Sequence, residues 1–148
     1  MNRLKHMLTH HEGKSKYAYE INGITHLGIG RNVDRNGGLG LSDDECMYLL
    51  ENDILLFTKE LAQAFAWFGG LDEVRQEALI MICFTMGISR LKKFVLALGH
   101  LEQGNFEESA REFLDSRWST QIGERAIVLA SMIETGKYPD GYEVFIKE

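Results

Sequence analysis

Long apolar runs, cysteine and proline are scarce in this 148-residue chain. No stretch approaches the roughly 20 consecutive apolar residues of a membrane-spanning helix, and residues 1–6 lack the apolar core of a secretory signal. The two cysteines, Cys46 and Cys83, are too few for a disulfide framework, so we expect two reduced, structural thiols. With only one proline, Pro139, and no low-complexity run, nothing marks a flexible linker between independent domains.

Positively charged residues are also few: the chain has 16 Lys and Arg but 22 Asp and Glu, which gives a formal net charge of −6. Nucleic-acid binding depends on clustered Lys and Arg, which this chain lacks, so we expect no nucleic-acid partner. The average field repels polyanions, and a polyanionic substrate must therefore be held by local groups in a groove. The neighbours His10 and His11 diverge by about 100° on a helix with no further ligand set, so we expect no bound metal.

The apolar content of 45% is enough for a real core, and its periodicity predicts an α+β fold. An apolar face over residues 2–11 predicts an opening helix that Gly13 ends, with Glu12 in the last turn. The pair Asn22-Gly23 is typical of a two-residue hairpin turn and predicts a small antiparallel sheet. The segment Ser42-Asp43-Asp44-Glu45 has the spacing of a helix capping box, after which a long helix begins.

Beyond residue 70 the pattern predicts a helical lobe. Asp72 can begin a helix whose segment 78–84 is apolar on nearly every side, as expected of a central buried helix. Further helices are expected at three places: near 91–101, near 106–116 with Asn105 as cap, and near 122–135, ended by Gly136.

These elements predict one domain, residues 1–148, built from two coupled lobes. The N-terminal lobe covers about 12–45, a connecting helix about 43–66, and the helical C-terminal lobe about 70–148, with the opening helix packed on it. A cleft between the lobes would be a common place for a ligand site.

Glu12 is the first residue that suggests chemistry. A carboxylate at the C-terminal end of a helix faces the negative end of the helix dipole, which disfavours its ionised form. Glycoside hydrolysis needs a protonated carboxylic acid at the leaving oxygen and a second group that handles water. Glu20, Thr25 and His26 are the nearby candidates for that second group. Spacing alone favours the other interpretation, in which Glu12 and Glu20 are ordinary exposed charges.

Several motifs, in their order along nearly the whole chain, resemble those of phage-type lysozymes. They are His11-Glu12-Gly13, Ala18-Tyr19-Glu20, Leu27-Gly28-Ile29-Gly30-Arg31-Asn32, Ser42-Asp43-Asp44-Glu45, Leu71-Asp72-Glu73-Val74-Arg75, Phe84-Thr85-Met86-Gly87, Ser116-Arg117-Trp118 and Arg125-Ala126. The resemblance implies a lysozyme-like fold. It also implies cofactor-free hydrolysis of the β-1,4 bond between N-acetylmuramic acid and N-acetylglucosamine in bacterial peptidoglycan.

The resemblance assigns roles to individual residues. Glu12 falls on the family's catalytic glutamate, and Arg125 on an arginine that can approach it from the helical lobe, although a surface ion pair would explain Arg125 equally well. Thr85 is a candidate sugar contact, while Trp118 is interpreted as a core residue.

At the second catalytic position the chain departs from the family pattern. Glu20 stands where the family usually has an aspartate and is expected to stabilise positive charge on the sugar. His26 stands where a threonine is usual and is expected to manage the incoming water, with Thr25 as the alternative. An imidazole can act as a base toward water or attack carbon itself, so the stereochemistry stays open. Simple packing of His26 in the sheet is the other interpretation.

The resulting hypothesis is an endolysin-type muramidase that lyses a host cell, acts as a monomer and has peptidoglycan as its partner. With no export signal evident, we expect it in the host cytoplasm until a holin-type membrane protein releases it to the periplasm and the wall. One rival is a lytic transglycosylase, which closes an anhydro ring instead of admitting water. The other is a non-catalytic peptidoglycan-binding or scaffold protein that keeps the lysozyme fold.

Overall fold

The computed structural model describes residues 1–142, which form eight α-helices and a three-stranded antiparallel sheet. This confirms the α+β fold class. The chain divides into two compact units, Met1–Leu50 and Glu51–Glu148. The end of the predicted helical lobe, 143–148, lies outside the described residues.

The first unit begins with helix α1 and continues into the sheet. Its elements are α1 (Asn2–Glu12), β1 (Ser15–Ile21), β2 (Ile24–Gly28) and β3 (Arg31–Asn32), with strand order β1-β2-β3. Asn22 and Gly23 both have positive φ, 53° and 76°, as the two central residues of a type I′ hairpin turn require. The predicted hairpin is therefore confirmed.

Helix α2 (Asp43–Ala64) begins at the predicted capping box. The backbone N–H of Ser42 donates to Oε2 of Glu45 at 2.8 Å, and the N–H of Glu45 donates to Oγ of Ser42 at 3.2 Å. The other oxygen of Glu45, Oε1, pairs with Nη1 of Arg31 at 2.7 Å. The backbone hydrogen bond from Ser42 and the charge of Arg31 lower the pKa of Glu45. Nε of Arg31 also donates to the carbonyl of Gly40 at 2.8 Å. Arg31 therefore connects the loop before α2 to the first turn of that helix.

The second unit is helical and contains the buried core. After the end of α2 and a 3-10 turn (Phe68–Gly70) come six helices: α3 (Glu73–Met86), α4 (Ile88–Leu91), α5 (Val95–Glu102), α6 (Phe106–Leu114), α7 (Arg117–Ile122) and α8 (Glu124–Thr135). Helix α3 buries Ala78, Leu79, Ile82 and Cys83, which confirms it as the central helix. Burial raises the pKa of the Cys83 thiol to about 11, so the group stays protonated as a structural thiol.

Two helix boundaries and one cap differ from the sequence prediction. The helix expected near 91–101 begins at Val95, and Leu91 instead ends α4. Phe94 separates the two helices, because it leaves the helical conformation (φ −81°, ψ 57°) while its ring stacks on Phe113 at 5.5 Å. The helix expected near 122–135 starts at Glu124, since Gly123 separates it from α7. Asn105 precedes α6, but its side chain donates to Gln103 at 3.3 Å instead of capping the helix.

Arg75 joins the start of α3 to the end of α8. Its Nε and Nη2 donate to the carbonyls of Ile133 and Glu134 at 2.6 and 2.7 Å, and Nη1 donates to Oδ1 of Asp72 at 2.8 Å. Oδ2 of Asp72 accepts the backbone N–H of Arg75 at 3.2 Å, which confirms Asp72 as the N-cap of α3. One side chain thus satisfies carbonyls that the end of a helix leaves without partners.

Candidate functional site

Glu12 is the last residue of α1, as predicted. Gly13 follows with a positive φ of 73°, and its N–H closes the helix on the carbonyl of Thr9. The carboxyl group therefore stands at the helix end, beside a pocket within the first unit. The pocket is lined by Glu12, Lys14, Ser15, Tyr19, Ile21, His26 and Gly30.

Gly30 lets the backbone approach the carboxyl group of Glu12 closely. A Cβ atom at this position would lie 2.9 Å from Oε2 of Glu12 and 3.5 Å from its Cδ. Gly30 also has a positive φ of 69°, a conformation that strains any other residue. Any larger residue at position 30 would displace the carboxyl group of Glu12.

The register of the hairpin decides which side chains share a face of the sheet. Tyr19 pairs with His26, and Glu20 pairs with Thr25. Because successive side chains of a strand point to opposite faces, Tyr19 and His26 lie on one face while Glu20 and Thr25 lie on the other. The pocket is on the first of these faces, since both Tyr19 and His26 line it. The structure therefore brings Glu12 and His26 to one pocket.

Glu20 and Thr25 do not join them. Neither lines the pocket. The backbone N–H of Thr25 donates to Oδ2 of Asp34 over a long distance of 3.4 Å. A shift of one residue in register would exchange the two faces, so the two-residue turn fixes this outcome. The catalytic role expected of Glu20, and of Thr25 as the alternative to His26, stays a prediction that this hairpin does not favour.

Thr85 and Arg125 belong to the second unit. Oγ1 of Thr85 donates to the carbonyl of Ile82 at 2.8 Å and accepts the indole N–H of Trp118 at 2.8 Å. Trp118 is 2% exposed, which confirms it as a core residue and makes Thr85 its hydrogen-bond partner. Arg125 is an exposed residue in the first turn of α8 and is in none of the ion pairs found among residues 1–142. Their expected contacts with sugar and with Glu12 stay predictions.

The chemistry available at the pocket is acid–base chemistry. Glu12 supplies a carboxyl group that can give up a proton, and His26 supplies an imidazole that can take one. Within residues 1–142 no group of three or more His, Cys, Asp or Glu side chains is placed to hold a metal ion. No helix in that range is long and apolar enough to cross a membrane.

Comparison with protein families gives these residues their context. The family model described as phage lysozyme matches residues 9–134, a range that contains all the pocket residues. This chain belongs to the phage lysozyme family. Membership confirms the family and the fold predicted from the motifs, and it makes the chain a glycoside hydrolase of the lysozyme type.

Individual relatives of the family agree with this placement. The chain is 27% identical to "Probable T4-type lysozyme 1" of Dictyostelium discoideum, over 92% of this chain and 96% of that protein. It is 25% identical to "Probable T4-type lysozyme 2" of the same organism, over 88% and 78% of the two chains. It is also 26% identical to the pre-baseplate central spike protein of Enterobacteria phage T4, over 86% of this chain but 22% of that much longer protein.

Sequence reasoning gave no role to Tyr19 or to Gly30. Tyr19 could have been found, because an Asn22-Gly23 turn of two residues puts Tyr19 directly opposite His26. The closeness of Gly30 to Glu12 has no such signal. It depends on how the end of α1 lies against the loop after β2, which no local pattern specifies.

Proposed function

We propose that this chain hydrolyses the β-1,4 bond between N-acetylmuramic acid and N-acetylglucosamine, with Glu12 as the general acid and His26 as the base toward water. The observation that carries the proposal is that Glu12 and His26 line one pocket of the first unit. Family membership and relatives named as lysozymes support the choice of a peptidoglycan glycan as substrate.

The two side chains divide the proton transfers of hydrolysis. The carboxylic acid of Glu12 gives its proton to the glycosidic oxygen as the bond from that oxygen to the anomeric carbon breaks. A water molecule attacks the anomeric carbon and transfers a proton to the imidazole of His26. Solvent then returns a proton to Glu12 and removes one from His26, which restores the starting state.

The proposal extends to the setting in which such an enzyme works. Its partner is bacterial peptidoglycan, and its role is host cell lysis. It acts as a monomer that stays in the host cytoplasm until a holin-type membrane protein releases it to the periplasm and the wall. The formal net charge of −6 fits a substrate that is held by local groups in a groove instead of by the overall field.

Three variants test the assignment of the site. Release of soluble fragments from purified peptidoglycan would be measured for Glu12→Gln, His26→Ala and Glu20→Gln. Loss of a positioned acid or base typically costs about 10²–10⁴-fold in rate, so we expect losses of that order for the Glu12 and His26 variants. Glu20→Gln is the matched control, because Glu20 lies in the same hairpin on the other face, and we expect it to stay within about twofold of wild type.

The same assay separates the alternatives. A loss with Glu20→Gln as large as that with His26→Ala would restore Glu20 to the catalytic machinery. Fragments that end in anhydro sugars would identify a lytic transglycosylase. Binding to peptidoglycan without fragments from the wild type would identify a non-catalytic binding or scaffold protein.

A further inference from the structure

We propose that Tyr19, together with the backbone carbonyl of Ile24, is a positioning device that holds His26 in the one orientation and tautomer able to accept a proton from water. The inference rests on the proposed function, because it explains how His26 performs its part. In this proposal Tyr19 and Ile24 act only through His26 and do not contact the reacting atoms.

The carbonyl of Ile24 fixes where the proton of the neutral imidazole lies. Nδ1 of His26 is 2.9 Å from the oxygen of Ile24, two residues earlier in β2. A carbonyl oxygen only accepts hydrogen bonds, so Nδ1 must carry the proton, and Nε2 is left as the unprotonated nitrogen. No residue among 1–142 forms a hydrogen bond with Nε2. The free lone pair of His26 is therefore available to a water molecule in the pocket.

The ring of Tyr19 fixes the plane of the imidazole. The two ring centroids are 5.6 Å apart and the planes are 18° from parallel, an offset stack between directly paired residues of β1 and β2. Both residues are partly buried. The hydrogen bond to Ile24 holds one edge of the imidazole and the phenyl face of Tyr19 covers one side, which together leave little freedom about χ1 and χ2.

The charged groups that share the pocket with His26 are Glu12 and Lys14. Within residues 1–142 no hydrogen bond involves the Tyr19 hydroxyl, so we assign the positioning of His26 to the aromatic ring of Tyr19 alone.

Substitutions of Tyr19 separate positioning from other roles. Tyr19→Phe keeps the ring, whereas Tyr19→Leu and Tyr19→Ala remove it. We expect the Phe variant to stay within about twofold of wild type, and both others to lose about tenfold in kcat with KM little changed, as a misplaced catalytic group does. Tyr17→Ala is the matched control, since Tyr17 lies in the same strand, is 81% exposed and does not line the pocket. Thermal unfolding of each variant excludes loss of fold.

A spectroscopic readout tests the device without reference to activity. Long-range ¹⁵N–¹H correlation spectra of neutral His26 should show a single tautomer with the proton on Nδ1 in wild type and Tyr19→Phe. Tyr19→Ala should instead show a mixture of tautomers. The inference is overturned if Tyr19→Ala and Tyr19→Leu keep the wild-type tautomer and kcat. It is also overturned if they raise KM alone, which would make Tyr19 a sugar-binding surface.

Failure of the proposed function looks different. If His26→Ala itself retains full activity, then His26 is not the base, whatever the spectra of the Tyr19 variants show. If His26→Ala is impaired while the Tyr19 variants behave as wild type, only the positioning role is wrong.

Discussion

Replacement of Gly30 by alanine should impair catalysis far more than it impairs stability. The new Cβ would lie 2.9 Å from Oε2 of Glu12, whereas ordinary contacts begin at 3.4 Å, so the carboxyl group must move by about 0.5 Å (3.4 − 2.9). The atom that moves is the far end of a flexible side chain, and moving it costs little folding energy. If a misplacement of about 1 Å costs roughly 10²-fold in rate, half of it should cost about tenfold, or about 1.4 kcal/mol of activation free energy.

The matched control is Gly28→Ala. Gly28 has nearly the same positive φ as Gly30, 65° against 69°, but a Cβ there would meet nothing within 4 Å. Both variants should therefore lose a similar free energy of unfolding, about 1–2 kcal/mol, from backbone strain alone. Urea denaturation measures that loss of stability. The value of kcat/KM on soluble glycan fragments, taken under conditions where both variants are fully folded, measures the separate effect on catalysis.

Only Gly30→Ala should show the tenfold loss of activity. Added to Glu12→Gln, it should cause no further loss, because the group it displaces no longer acts as an acid. Equal activity in the two alanine variants would refute the reasoning, and so would an additive loss in the double variant.

Three further predictions concern the second unit. Arg75→Met should lower the free energy of unfolding by about 3 kcal/mol in urea denaturation, since it removes hydrogen bonds to the last carbonyls of α8; a wild-type value would contradict this. Asp72→Asn tests pH dependence: burial raises the pKa of Asp72, but hydrogen bonds from Arg75 outweigh it and leave the pKa below its usual 3.8. The difference in free energy of unfolding between wild type and that variant should be full above about pH 5 and shrink as the pH falls below 3.8. A difference that stays unchanged from pH 7 to pH 3 would contradict the lowered pKa of Asp72. Thr85→Val should cost about 1–3 kcal/mol by leaving the buried N–H of Trp118 without its partner, with KM unchanged. A several-fold rise in KM at unchanged stability would instead make Thr85 a sugar contact.

The features that the sequence predicts correctly depend on short-range chemistry. Asn22-Gly23 specifies its turn because both residues tolerate positive φ, and Ser42 with Glu45 specifies the start of α2 because each satisfies the other's backbone N–H. Asp72 at the start of α3 is of the same kind. In each case the atoms that decide the conformation lie within three residues of one another.

The features that the sequence does not specify depend on contacts that are distant in sequence. Periodicity continues a helix through residue 94, but packing of Phe94 on Phe113 and Trp118 favours a break there. The role expected of Glu20 stays a prediction that is based on its distance from Gly23, whereas the face on which Glu20 lies depends on the pairing of β1 with β2. Tertiary packing and strand register thus override what spacing along the chain indicates.

The measurement that tests the central claim most directly is mass spectrometry of peptidoglycan fragments released in H₂¹⁸O by wild type and by Glu12→Gln. We expect wild type to produce N-acetylmuramic acid ends that carry one ¹⁸O atom and Glu12→Gln to produce essentially none. Anhydro ends without ¹⁸O, or labelled ends produced equally by both proteins, would contradict hydrolysis with Glu12 as the acid.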